Sequence, residues 1–151
     1  MRISAKADYA VRAAAELAGG EEAPMPAEAL ARAAGVPHRF LEGILSDLRR
    51  DGIVTSRRGA GGGHQLARPA EEVTLADVIR AVDGPLVFVR DERPGEIAYQ
   101  GAAAALPQVW VALRANVRAV LEQVTLADLA AGEVPSIVRE LTADEDAWRS
   151  P

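Results

Sequence analysis

Between residues 38 and 59 the chain gathers side chains suited to reading a double helix: His38, Arg39, Glu42, Ser46, Arg49 and Arg50, then Arg57, Arg58 and Gly59. Arginine can donate two N–H bonds to a guanine edge, and glutamate can accept from the cytosine amino group. Gly43 and Ser46 are small enough to allow close approach. Arg49, Arg50 and, near the N-terminus, Lys6 and Tyr9 offer phosphate contacts, which position a protein on a duplex without reading its sequence. Arg57 and Arg58 precede Gly59-Ala60-Gly61-Gly62-Gly63, a tip that could carry a guanidinium into a minor groove, where negative potential is concentrated.

Other chemistries fit less well. The glycine run leads into His64-Gln65-Leu66-Ala67 rather than into a helix, and no Lys-Ser or Lys-Thr pair follows, so it does not read as a nucleotide loop. No serine, histidine and carboxylate cluster suggests hydrolysis, and no enzyme is expected. Cysteine is absent, which removes disulfides, thiolate zinc sites and clusters held by thiolates. The two histidines, His38 and His64, fall in the proposed DNA-facing segments, and Asp91, Glu92 and Glu96 read as a charged surface loop. Neither a metal nor a cofactor is expected.

The elements that must position these residues are legible from periodicity and caps. Ser4 caps a first helix with Tyr9, Ala10, Ala13, Ala14, Leu17 and Ala18 inward, stopped at Gly19-Gly20. Pro26 opens a short second helix that ends at Gly35, and a third runs from Pro37 to Arg50 with Phe40, Leu41, Ile44, Leu45 and Leu48 inward. Two short helices around a glycine turn, then the β-branched stretch 53–57 and a return strand at 64–68, spell a winged helix-turn-helix. Thr74-Leu75-Ala76-Asp77 is a capping box for a fourth helix, after which residues 85–105 read as a connecting loop with a short strand at 87–89.

From Leu106 onward, Leu106, Trp110, Leu113, Val117, Val120 and Val124 alternate spacings of four and three, the stripe of a helix that needs a partner. An identical helix is the economical answer, so a homodimer is expected. A second Thr-Leu-Ala-Asp box at 125–128 opens a further short helix, Ser136 caps a last turn, and residues 142–151 are expected to fray. The expected organisation is a DNA-binding domain at 1–84, a loop at 85–105, dimerisation and short C-terminal helices at 106–141, and a disordered tail at 142–151. The fold class is mainly α with a small β-hairpin wing.

The 151 residues carry a net charge of −5, unevenly placed. Residues 1–70 have ten Lys and Arg against eight Asp and Glu, a balance of +2, while residues 71–151 have seven against fourteen, a balance of −7. A basic DNA-facing half is therefore compatible with an acidic whole. With 49% apolar and 26% charged residues, no apolar run of membrane-spanning length and no secretory signal, a protein of the cytoplasm is expected, without a membrane partner.

Four blocks in order resemble the Rrf2-type bacterial transcriptional regulators: Arg2-Ile3-Ser4-Ala5-Lys6-Ala7-Asp8-Tyr9-Ala10-Val11-Arg12-Ala13, Phe40-Leu41-Glu42 through Ile53-Val54, the wing from Arg57 to Gly63, and residues 74–82. The resemblance extends over about residues 1–132. It implies a dimeric winged-helix DNA-binding protein whose helix near 106–124 crosses to its partner. The expected function is a homodimeric regulator that binds a pseudo-palindromic operator, with repression the expected direction. Many members carry an iron–sulfur cluster on three cysteines in the loop before that helix. Here residues 90–108 offer Asp91, Glu92, Glu96 and Tyr99 instead, so the cluster does not carry over. Either that loop binds another effector or the protein acts without a small-molecule signal. Two rival classes are a helical protein-interaction module that has lost DNA binding and a small-ligand sensor using residues 85–108.

Overall fold

The computed structural model describes residues 2–20 and 23–149. Met1, Glu21, Glu22 and the last two residues of the expected tail lie outside them.

Helix α1 (Ala5–Gly19) starts where the Ser4 hydroxyl accepts a hydrogen bond from the Ala7 amide at 2.9 Å. Its inward face is Ala7, Ala10, Ala13 and Ala14, all fully buried. A face of methyl groups lets neighbours approach closely, and α1 becomes the axis of the fold. Around it pack α2 (Ala27–Ala34), α3 (His38–Arg50), α4 (Leu75–Asp83) and α6 (Leu126–Ala131). Leu30, Leu41, Ile44, Leu45, Leu48, Ile53, Val73, Val78 and Leu126 fill the spaces between them, each worth about 1.5–3 kcal/mol for removal from water.

Helix α2 stops at Gly35, whose φ of 61° lets its amide reach back to the last turn, and α3 begins three residues later. The wing is the antiparallel pair β1 (Val54–Arg57) and β2 (Gly63–Leu66), in register from Val54 opposite Leu66 to Arg57 opposite Gly63. Met25 exchanges two backbone hydrogen bonds of 2.8 Å with His64, so the chain entering α2 forms a stub third strand on the wing.

The two Thr-Leu-Ala-Asp boxes form as expected and pair with one another. In each, the threonine hydroxyl caps the aspartate amide and the aspartate carboxylate caps the threonine amide. Thr74 and Thr125 then form an antiparallel bridge, with Leu75 N–H donating to Val124 O and Leu126 N–H to Val73 O, both at 2.9 Å. This pairing explains a departure from the seam: α5 (Leu106–Leu121) ends before Val124, which sits buried in the paired segment rather than on the helix. The 3–4 spacing reaches Val124 by coincidence.

Three further expectations change. Phe40 is not inward: it is 45% exposed, because Leu41, one step around the helix, takes the core position. No strand forms at 87–89; Val89 and Glu92 make a single bridge around a turn whose central residues, Arg90 and Asp91, have φ of 53° and 62°. Beyond α7 (Ser136–Thr142), residues expected to fray form a 3₁₀ turn at Glu145–Trp148, closed by the Trp148 indole donating to Thr142 O at 2.9 Å.

Candidate nucleic-acid interface

Helix α3 divides into an apolar face sealed in the core and a polar face of His38, Arg39, Glu42, Gly43, Ser46, Arg49 and Arg50, all exposed. Beside it stands the wing, with Arg57, Arg58 and Gly59 exposed at the turn out of β1. Among the described residues, Arg39, Arg57 and Arg58 form no ion pair with an acid. Arg49 bridges the two elements, its Nη1 donating to Ser56 Oγ at 3.3 Å.

The tip requires its glycines for two different reasons. Gly59 and Gly61 have φ of 91° and 72° in open space, a backbone region that side chains with a Cβ disfavour. Gly63 is a close approach: a Cβ there would collide with the Met25 carbonyl and the Pro26 nitrogen. The wing is thus locked to the segment that leads into α2.

Two expected phosphate ligands are otherwise engaged. Lys6 Nζ lies 2.6 Å from Asp47 and donates to Val82 O at 3.0 Å, clamping α1 to α3 and α4. Arg50 pairs with the same Asp47 at 2.7 Å and donates to Ala81 O at 3.1 Å. The Lys6 hydrogen bond, joined by Arg50, holds the Asp47 carboxyl below its ordinary range against the opposing effect of burial. Tyr9 is half-buried, its ring 5.7 Å from that of Phe40. His64, also expected to face DNA, has a buried Nδ1 with no hydrogen-bond partner among the described residues, and burial together with Arg49 lowers its pKa below 6.5. Sequence reasoning missed Ser56 and Asp47 as the residues that position these cations, since neither partnership follows from spacing.

Helix α5 has no fully buried residue. Leu106, Trp110, Leu113, Val117 and Val120 are half-buried along one side, and Val109 and Val111 are exposed. Between this helix, α4 and the start of α1 lies an apolar groove of about 690 Å³ whose walls include Ile3, Ile79, Leu86, Val117 and Val120.

The family model named Rrf2, described as an iron-dependent transcriptional regulator, matches residues 3–132. The chain belongs to the Rrf2 family. It is 49% identical over 151 residues to an HTH-type transcriptional regulator of Mycobacterium tuberculosis, covering 99% of this chain and 94% of that one. The solved structure of CymR, the global cysteine regulator of B. subtilis, superposes with a TM-score of 0.70 at 32% identity, covering 87% of this chain and 98% of that one. The T. potens IscR structure gives a TM-score of 0.68 at 28% identity, covering 100% and 93%. The winged-helix fold and the assignment as an Rrf2-type, DNA-binding transcriptional regulator follow, and the relatives are bacterial regulators rather than enzymes.

The Rrf2 description implies iron. The loop at 85–105 does not fit a thiolate-held cluster: the chain has no cysteine, and no three His, Asp or Glu side chains converge among the described residues. Its interior is apolar instead, with Val87, Pro94 and Ile97 buried, and outside it the Arg90 guanidinium lies over Tyr99 while Arg93 pairs with Glu96. No helix among the described residues is long and apolar enough to cross a membrane.

Proposed function

We propose that this Rrf2 regulator is a cytoplasmic homodimeric repressor that binds a pseudo-palindromic operator without a thiolate-held cluster. Helix α3 enters the major groove and the wing lies against the neighbouring minor groove. Arg39, Glu42 and His38 read base edges, Ser46 admits the helix closely, and Arg49, Arg57, Arg58 and Gly59 hold the backbone. The carrying observation is the set of exposed, acid-free guanidiniums of Arg39, Arg57 and Arg58 on two elements that Arg49 and Ser56 tie together. Tyr9 and the half-exposed Lys6 flank this surface, and Lys6 and Arg50 serve first as clamps on Asp47.

Dimerisation supports two-site reading. The uncovered stripe of α5 shares Val117 and Val120 with the apolar groove, a surface suited to the same helix of a second copy. Two-fold pairing would set the recognition helices about one turn, ~34 Å, apart. The loop at 85–105 stays a candidate site for an effector, with no polar convergence among its described residues to name one.

Selection of genomic fragments by the purified protein, followed by sequencing, tests the reading. Enrichment of an inverted repeat supports it, and indiscriminate recovery of all fragments overturns sequence-specific binding. Visible absorption near the region of iron–sulfur charge transfer in the protein as isolated would contradict the cluster-free part, as would loss of operator binding on chelation.

A further inference from the structure

Phe40 is unexplained by the core. It stands in the first turn of the recognition helix, 45% exposed, although a large apolar ring gains nothing from water. Its surroundings are a connected series. The Arg39 guanidinium carbon lies 4.8 Å from the Phe40 centroid, the Phe40 ring lies 5.7 Å from that of Tyr9, and the Arg12 guanidinium carbon lies 5.4 Å from the Tyr9 centroid. Arg12 is itself fixed. It donates to Ala34 O at 3.0 and 2.7 Å and to Gly35 O, and pairs with Asp8 at 3.2 Å.

The series therefore starts at the last carbonyls of α2 and the helix-turn-helix turn, crosses Tyr9 on α1, and ends at the one cation of the first turn of α3. Arginine carries many rotamers, and each must be ordered when its fork meets a base edge. A guanidinium already over an aromatic face has fewer to lose, and the ring's electron-rich face attracts it without competing for its N–H donors. Leucine at position 40 would fill similar space and offer no such face.

We infer that Phe40 is a positioning residue for base readout: with Tyr9 and Arg12 behind it, its ring presets the Arg39 guanidinium, so that the base preference attributed to Arg39 depends on an aromatic ring at position 40. The inference rests on the regulator reading above, and it assigns Phe40 a part in specificity that its inward-looking sequence position conceals.

The test uses the full chain and the fragment it selects from genomic DNA. In the free protein, Phe40→Leu should remove the ring-current shift of the Arg39 Nε–H resonance while leaving the thermal midpoint close to wild type. On DNA, Phe40→Leu should reduce discrimination at the Arg39-dependent base pair by roughly 2- to 5-fold, the size expected for one exposed cation–π contact. It should leave the salt slope unchanged, since no phosphate contact is lost. Phe40→Tyr and Phe40→Trp should restore discrimination, and Phe40→Leu placed on Arg39→Ala should add nothing. Full discrimination in Phe40→Leu, or a loss that adds to that of Arg39→Ala, overturns the inference. The two failures are separable. A wild-type chain that selects no fragment removes the regulator reading and this inference together, whereas a wild-type chain that discriminates, and still does so in Phe40→Leu, removes this inference alone.

Discussion

A guanidinium that reads a base and one that holds a phosphate leave different traces, and the interface contains candidates for both. Arg39→Ala should cost ~1–3 kcal/mol at one base position and relax the preference there, measured by binding to a set of singly substituted operators. Equal loss on every operator would contradict direct readout. Arg58→Ala should weaken binding to all sequences alike and lower the salt slope by about one, measured by titration at several salt concentrations. Lys6 behaves differently from both. Its ammonium is held by Asp47 and Val82, so Lys6→Ala should lower folding stability by about 1 kcal/mol in urea melts and leave the salt slope unaltered. A slope reduced as far as that of Arg58→Ala would restore Lys6 to the phosphate-binding set. Sequence shows a lysine near the start of a helix and cannot show that a carboxylate forty-one positions later, itself held by Arg50, folds on to it.

At the level of elements, local signals were the most legible. Ser4, Gly35 and the two Thr-Leu-Ala-Asp boxes act within a few residues of themselves, so their caps could be read directly. What escaped were partnerships between distant segments: Met25 with His64, and Thr74 with Thr125 across the paired boxes. The first makes Gly63 a packing residue as well as a turn residue. Gly63→Ala, driven into the Met25 backbone, should destabilise the protein by about 1–3 kcal/mol in thermal or urea unfolding and displace the wing, weakening operator binding. An unperturbed melt would show that the wing is not locked there. A second joint lies between α4 and α5, where Glu122 accepts from Arg118 at 2.9 Å and also from Arg80. Arg118, then Arg80, hold its pKa down to about 2 from an ordinary 4.5. A carboxylate with a depressed folded pKa stabilises the fold at pH above 4.5, and that contribution is lost as pH falls toward 2. Glu122→Gln should flatten stability between about pH 4.5 and 2 in urea melts, and a pH dependence identical to wild type would mean that the ion pairs contribute nothing.

The whole molecule poses the question of what covers α5. Sequence periodicity identified the stripe, and the fold keeps Leu106, Trp110, Leu113, Val117 and Val120 on a helix with no buried residue while withdrawing Val124 into the core. A helix this apolar is stable in water when a second surface meets it, and the groove that begins at Val117 and Val120 extends that surface to Ile79, Leu86 and Ile3. Leu113→Glu places a charge in the middle of the stripe at a half-exposed site, so the monomer should still fold while pairing fails. Sedimentation should then report a monomer with wild-type helix content by circular dichroism. Binding to a half-site fragment should persist at its intrinsic strength, because α3 and the wing are untouched, whereas affinity for the full inverted repeat should fall by about 10²–10⁴-fold as two linked contacts become two independent ones. An unchanged dimer would place the interface elsewhere, and a monomer that binds the full site as tightly as wild type would mean that a single winged helix carries the recognition by itself.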